Sequence, residues 1–167
     1  AFTEGALSLT FTLPDPKPAE RTVQRFTEWS GLVRDAFIDL GVDTRIGAVP
    51  DEYCPGDFSV NAGGRVKLAG AGQRMIRGAA HLGFVILVSD SALVAETLGP
   101  VYAALGLDFN PGTVGSIEDA RPGTGLEDVE QALLGRLESA VGLQPAEIDP
   151  VTLEMTRSRS GQFRSNP

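Results

Sequence analysis

Tyr53-Cys54-Pro55-Gly56-Asp57-Phe58-Ser59-Val60-Asn61-Ala62-Gly63-Gly64-Arg65-Val66-Lys67-Leu68-Ala69-Gly70-Ala71-Gly72-Gln73-Arg74 is the stretch whose reading decides the fold. It holds the only cysteine of the chain, a lysine inside a strand-like run, and a cluster of glycines. Cys54 precedes a proline, which biases it to extended backbone. Pro55-Gly56 suits the middle of a type II turn. Phe58 and Val60 give a short strand, and Ala62-Gly63-Gly64 suits a tight hairpin, because glycine accepts positive φ. Val66 to Arg74 is the partner strand. Strict alternation there puts Lys67, Ala69, Ala71 and Gln73 on one face, and Leu68, Gly70 and Gly72 on the other.

Upstream, Ala6 to Leu13 alternates as a half-buried strand, with Leu7, Leu9, Phe11 and Leu13 facing one way. Pro14, Pro16 and Pro18 end it. A helix is predicted over Ala19 to Leu40, burying Val23, Phe26, Val33, Phe37 and Leu40, with Gly41 as its C′ residue. Trp29 reads as core or as a pocket wall. Val42 to Val49 reads as a short strand and loop. Downstream, Ala79 to Val88 is a near-continuous apolar strand, predicted to be covered on both faces. Ser91 to Leu105 is helical, with Pro100 expected to kink or split it. Asn110-Pro111-Gly112 signals a turn. Thr124-Gly125-Leu126-Glu127 fits a capping box ahead of a helix burying Val129, Leu133, Leu134, Leu137 and Val141 and stopping at Gly142. Asp149 to about Phe163 is a last helix, with Arg157-Ser158-Arg159-Ser160 as a solvated face and a fraying end beyond. Strands in hairpins with helices between and after them make an α+β domain, its sheet mixed and largely antiparallel. The whole chain, 1–167, reads as a single domain.

Composition narrows the function classes. At 167 residues and 42% hydrophobic the chain suits one domain with a sizeable core. The net charge of −8 argues against nucleic acid, which needs a basic stripe. No apolar run is long enough to span a bilayer, and no signal peptide is visible, so no membrane partner and a cytoplasmic home are expected. A single cysteine excludes an internal disulfide, and a cysteine-built metal site needs more ligands than are present. The chain opens at Ala1 rather than at a methionine, so it is expected to be a fragment or a processed piece.

Several motifs fail on inspection. Gly70-Ala71-Gly72 lacks the third glycine of a dinucleotide fingerprint, since Met75 stands there, and no helix opens at that point. There is no Walker A loop and no serine elbow. His81, in an apolar strand, is either a hydrogen-bonded core residue or a base. Lys67 reads as an aggregation-blocking edge lysine or as a cation on a pocket floor of small residues. Cys54 reads as an inert buried thiol or as an exposed nucleophile whose thiolate a nearby cation favours. With the hairpin turning at Ala62 to Gly64, Val60 lies opposite Lys67. Cys54 is then roughly 10 Å from Lys67 along the sheet, at about 3.3 Å per residue.

The segments Tyr53-Cys54-Pro55-Gly56, Asp57-Phe58, Gly64-Arg65-Val66-Lys67-Leu68-Ala69-Gly70 and Gln73-Arg74 resemble the central motif of the biotin/lipoate protein ligase superfamily. The form is that of the cysteine-dependent octanoyl- and lipoyltransferases. The resemblance implies a class II synthetase-like catalytic domain, present here in its C-terminal portion. It gives Cys54 the role of acyl-carrying nucleophile and Lys67 that of the cation at the acyl carbonyl or acyl-phosphate. Gly70, Ala71, Gln73, His81 and Gly83 become substrate-binding candidates. Many relatives carry two adjacent histidines where this chain has His81-Leu82-Gly83. The family also has an earlier glycine-rich segment, and the chain is expected to begin after it.

The function so implied is protein lipoylation: an octanoyl or lipoyl group passes through a cysteine thioester to a lysine of a carrier. Expected partners are a lipoyl carrier domain or a glycine cleavage H-like protein, and a second chain supplying the glycine-rich segment. Lipoate or octanoate is the acyl group. Two alternatives stand beside it. One is an ATP- and magnesium-dependent lipoate-protein ligase, in which Lys67 matters and Cys54 does not. The other is a non-catalytic acyl-binding fragment.

Overall fold

The structure, a computed structural model, describes residues 3–163. Five strands form one sheet in the order β1-β5-β4-β3-β2: β1 (Ala6–Pro14), β2 (Thr44–Ile46), β3 (Val60–Ala62), β4 (Val66–Ile76) and β5 (Ala79–Leu87). Every strand pairing is antiparallel, so the expected α+β class with a largely antiparallel sheet is what forms. β3 and β4 are joined by a turn in which Gly63 and Gly64 both have positive φ, the pattern of a type I′ hairpin. β1 and β2 form the sheet's two edges. The predicted fraying of the last residues lies outside the described ones.

One face of the sheet carries the main core. Leu9 and Phe11 of β1, Leu82, Phe84 and Ile86 of β5, and Ala69 and Ala71 of β4 pack against α1 (Thr22–Asp39) and α4 (Leu126–Val141). The helices contribute Val33, Ala36, Phe37, Val129 and Leu133. Trp29 lies at the margin of this core, its ring 4.2 Å from that of Phe11. The end of α1 is a Schellman motif with Gly41 at C′: Gly41 N–H donates to Ile38 O and Val42 N–H to Phe37 O. The predicted apolar stripes were too wide. Val23, in the first turn of α1, is 66% exposed, and Leu134 and Val141 lie beside the narrow Val129, Leu133, Leu137 stripe of α4 and are exposed rather than buried.

The opposite face is covered only in part. There α2 (Ser91–Leu105) packs Val94 and Leu98 with Leu87 and Val114, while His81 and Val85 stay exposed. β5 is therefore closed on both faces only at its end, contrary to the reading of its apolar run. Pro100 does not split α2, which runs through it. α4 begins one residue later than expected. Gly125 is its N-cap, and Asp128 Oδ2 accepts the Gly125 N–H at 2.8 Å. A short α3 (Ile117–Ala120) carries a full capping box between Ser116 and Asp119, and α5 (Pro150–Arg159), capped by Asp149, buries no residue.

Candidate active site

The site is built on an irregularity that strict alternation conceals. Ala62 pairs with Val66 and Asn61 with Lys67, but Val60 pairs with Ala69, so Leu68 is an extra residue, a β-bulge. Leu68 and Ala69 consecutively enter the main core. The bulge therefore separates Lys67 from Ala69 and Ala71 and turns it to the opposite face, beside Gly70. A Cβ on Gly70 would sit 3.2 Å from Lys67 Cε, so a side chain there would crowd the lysine. The predicted face of Lys67, Ala69, Ala71 and Gln73 is thus corrected: Lys67 shares its side with Gly70 rather than with the alanines.

Lys67 is 2% exposed. Its Nζ donates to the carbonyls of Tyr53 at 3.0 Å and Cys54 at 2.7 Å, lies 3.7 Å from Glu52 Oε1, and sits 4.9 Å from the centre of the Tyr53 ring. Burial lowers the lysine's pKa; the neighbouring Glu52 carboxylate acts the other way and favours the ammonium. Glu52 is equally buried. Its Oε1 accepts from Ser59 Oγ at 2.7 Å and Gly56 N–H at 3.1 Å, clamping both ends of the turn after Cys54, while Oε2 has no hydrogen-bond partner among the described residues. The Tyr53 phenol is pushed up to about 12, chiefly by burial and then by Glu52.

Cys54 is exposed. Its backbone departs from the extended geometry expected before proline: φ is +43°, in the left-handed region. Gly56 is not the positive-φ residue of a type II turn; the turn closes two residues later, with Ser59 N–H donating to Gly56 O. Fixed at Glu52 and by the two carbonyls on Lys67, the loop arches over β4. It brings the Cys54 backbone directly onto the lysine instead of roughly 10 Å away along the sheet.

The loop, β4, β5 and α2 enclose a cavity of about 870 Å³, within the range of small-molecule sites. Its lining includes every residue singled out from the sequence: Cys54, Lys67, Gly70, Ala71, Gln73, His81 and Gly83. Their roles in the geometry differ. Gly72 pairs with Gly83, and Gly70 with Val85, making a floor short of side chains. Ala71 packs against the main core. The Gln73 amide is held by α1, donating to Thr22 O at 2.9 Å and accepting from Arg25 Nε at 3.0 Å. His81 is exposed, with Nδ1 3.1 Å from Thr12 Oγ1 on β1, and is not a core histidine.

Sequence reasoning missed Glu52 and Tyr102. Glu52 stands two residues before the cysteine, but a single carboxylate in a loop carries no pattern. Tyr102 comes from α2, and its hydroxyl meets Cys54: the Cys54 N–H donates to Tyr102 Oη at 2.6 Å, and Oη lies 3.8 Å from Sγ. The available signal was a tyrosine four residues after Leu98 on one helix face, indistinguishable from core.

No family model matches the chain. A curated relative, lipoyl-[GcvH]:protein N-lipoyltransferase of Listeria monocytogenes, is 27% identical over 125 residues, covering 69% of this chain and 45% of the relative. Among solved structures, a bi-partite lipoate protein ligase from Thermoplasma acidophilum, studied with its E2 lipoyl domain, superposes at TM-score 0.68 and 17% identity. That superposition covers 95% of this chain and 61% of the other. Lipoate-protein ligase A bound with ATP gives TM-score 0.69 at 17% identity, covering 94% of this chain and 60% of the other. The chain thus spans under half the length of the curated relative and about three-fifths of the solved ones. In sequence motif and in fold, the resemblance is to the lipoate ligase side of the biotin/lipoate protein ligase superfamily, and the chain has the fold of the lipoate-protein ligases over that part of their length.

Proposed function

We propose that this chain takes part in protein lipoylation, carrying an octanoyl or lipoyl group on Cys54 as a thioester and passing it to a lysine of a lipoyl carrier domain or an H-like carrier protein. The observation that supports this reading best is the buried Lys67 ammonium hydrogen-bonded to the Cys54 carbonyl at 2.7 Å, which fixes a cation beside the only thiol at the head of the cavity.

In the first half-reaction the Cys54 thiolate attacks the acyl carbonyl carbon. A new C–S bond forms, the carbonyl pair moves onto oxygen, and the intermediate collapses as the donor's leaving group departs and takes up a proton. In this reading the Lys67 charge lies under the loop that carries Cys54 and favours the charge that builds on the acyl oxygen, since a fixed cation in a dry site acts strongly. In the second half-reaction a neutral carrier amine attacks the thioester, Sγ leaves as thiolate, and the amide nitrogen that forms releases one proton to water. The curated relative's name describes transfer from one lipoylated protein to another. Such a transfer exchanges one lysine amide for another, so it is nearly balanced and needs no ATP.

The test is incubation with labelled octanoyl thioester, and separately with a lipoylated carrier, in the absence of ATP. The wild-type chain should form a covalent adduct on Cys54, and Cys54→Ser should lose adduct and transfer by more than about 100-fold while keeping its melting temperature. Serine transfer within about tenfold of wild type, some 1.4 kcal/mol of barrier, would overturn the thioester mechanism. A strict requirement for ATP and magnesium would point instead to the ligase reading.

A further inference from the structure

Tyr102 reaches the site from α2, 48 positions along the chain from Cys54. Its hydroxyl oxygen accepts the Cys54 amide proton at 2.6 Å, so its own O–H hydrogen must be directed elsewhere. Among the described residues, Cys54 Sγ, 3.8 Å away, is the acceptor in range. We propose that Tyr102 is a catalytic residue of the acyl-transfer site, its hydroxyl donating to the Cys54 sulfur and stabilising the thiolate that attacks the acyl carbonyl. This rests on the reading of Cys54 as the nucleophile.

The electrostatics of the loop explain why a neutral donor is needed. Lys67 favours the thiolate, but Glu52 lies 3.7 Å from its ammonium, so the two charges offset much of each other's field at the sulfur. Tyr53, on the same loop, is a phenol whose ring faces Lys67. Asp57, Arg74 and His81 line the same cavity farther along the loop and sheet. A hydrogen bond to the charged form of an acid favours that form whatever the balance of distant charges.

Tyr102 is also held in place for the task. Its ring lies 4.8 Å from that of Phe109, which packs into the cluster of Leu87, Val94 and Val114. Burial raises its pKa, so the phenol remains a donor at the pH where a thiol ionises. By accepting the amide proton it also ties down Cys54 in its left-handed conformation, one that a side-chain-bearing residue rarely adopts. During attack the tyrosine proton stays on its oxygen. The hydrogen bond to sulfur weakens as the negative charge passes to the acyl oxygen, and no further acid or base is consumed.

The experiment is the rate of iodoacetamide alkylation of the full chain as a function of pH, read by mass spectrometry at the only cysteine, for wild type and Tyr102→Phe. The phenylalanine keeps the ring contact with Phe109. The midpoint of the variant should rise by about one pH unit, with alkylation near pH 7 falling about tenfold and the high-pH rate retained. A purely structural role would slow alkylation by the same factor at every pH. Either that outcome or coincident profiles would overturn the proposal. Should Tyr102→Phe fail to fold, Phe109→Leu loosens the ring without removing the hydroxyl. It should shift the midpoint upward by a smaller amount, and an unchanged midpoint would count against Tyr102. A raised midpoint in a protein that forms no acyl adduct would leave the hydrogen bond in place and remove the reaction it serves, so the two readings fail separately.

Discussion

The two faces of the sheet are made by the same strands yet are built in opposite ways. On the helix-covered face, Phe84, Leu82 and Ile86 are at most 1% exposed and interlock with α1 and α4. On the other, the alternate residues of the same strands are Gly70, Gly72, Gly83, His81 and Val85, lining a cavity. One face excludes water by packing; the other leaves space, and two charged groups, Lys67 and Glu52, are buried beside it. Stability and chemistry are thereby separated by one residue along a strand. Only at the bulge do they meet, where Leu68 enters the core and its neighbour Lys67 enters the site.

That separation can be broken first at the lysine. Lys67→Ala should reduce adduct formation by more than about 100-fold, as expected for loss of a fixed charge at a developing oxyanion. It should also destabilise the fold, because Glu52 would be left buried without its cation, a change of the kind that costs roughly 3–5 kcal/mol. The double variant Lys67→Ala/Glu52→Gln should recover most of that stability and none of the activity. Denaturation midpoints of single and double variants decide the matter: equal midpoints would mean that Glu52 does not depend on Lys67.

The comparison is sharpened by adjacent residues of β5 that face opposite ways. Phe84→Ala removes a fully buried ring and should cost about 3–5 kcal/mol, whereas Val85→Ala, on the cavity side, should stay within about 0.5 kcal/mol. The same unfolding measurement reads both. A costly Val85→Ala would show that the cavity face contributes to packing after all.

The smallest effect is a pH dependence on the helix-covered side. Asp15, after β1, accepts from Lys17 N–H, Arg21 Nε and Arg25 Nη1, and these, the Lys17 bond foremost, hold its carboxyl below the usual carboxylate range. A depressed folded-state pKa means that the unfolded chain binds the proton first as pH falls. The stabilisation is therefore complete above about pH 4 and disappears below it, as pH drops through the folded value. Asp15→Asn should lower the melting temperature at pH 7 modestly and flatten the acid limb of the stability profile. Parallel acid limbs for the two proteins would rule Asp15 out as its source.

The sequence by itself determined the strands, most helices, the hairpin at Gly63-Gly64 and the Schellman end at Gly41, because alternation, helical period and glycine φ are local properties. It also determined the residues gathered around the cavity, through a motif contiguous enough to be recognised, together with two positions on the next strand. Only the tertiary structure decided which way they point. A single extra residue at Leu68 moves Lys67 and Leu68 to the sides opposite those assigned by alternation while the residues after them keep theirs, and nothing in the run Val66 to Gln73 marks where it falls. The conformation of Cys54 was likewise beyond local rules: proline at 55 favours extended backbone, but Glu52, Lys67 and Tyr102 hold the loop at positive φ. Glu52 and Tyr102 acquire meaning only from what folding places against them. The buried Glu52 carboxylate is recognised by the Lys67 cation beside it, and a tyrosine on an apolar helix face by the sulfur its hydroxyl reaches, and neither Lys67 nor Cys54 is a near neighbour along the chain of the residue it meets.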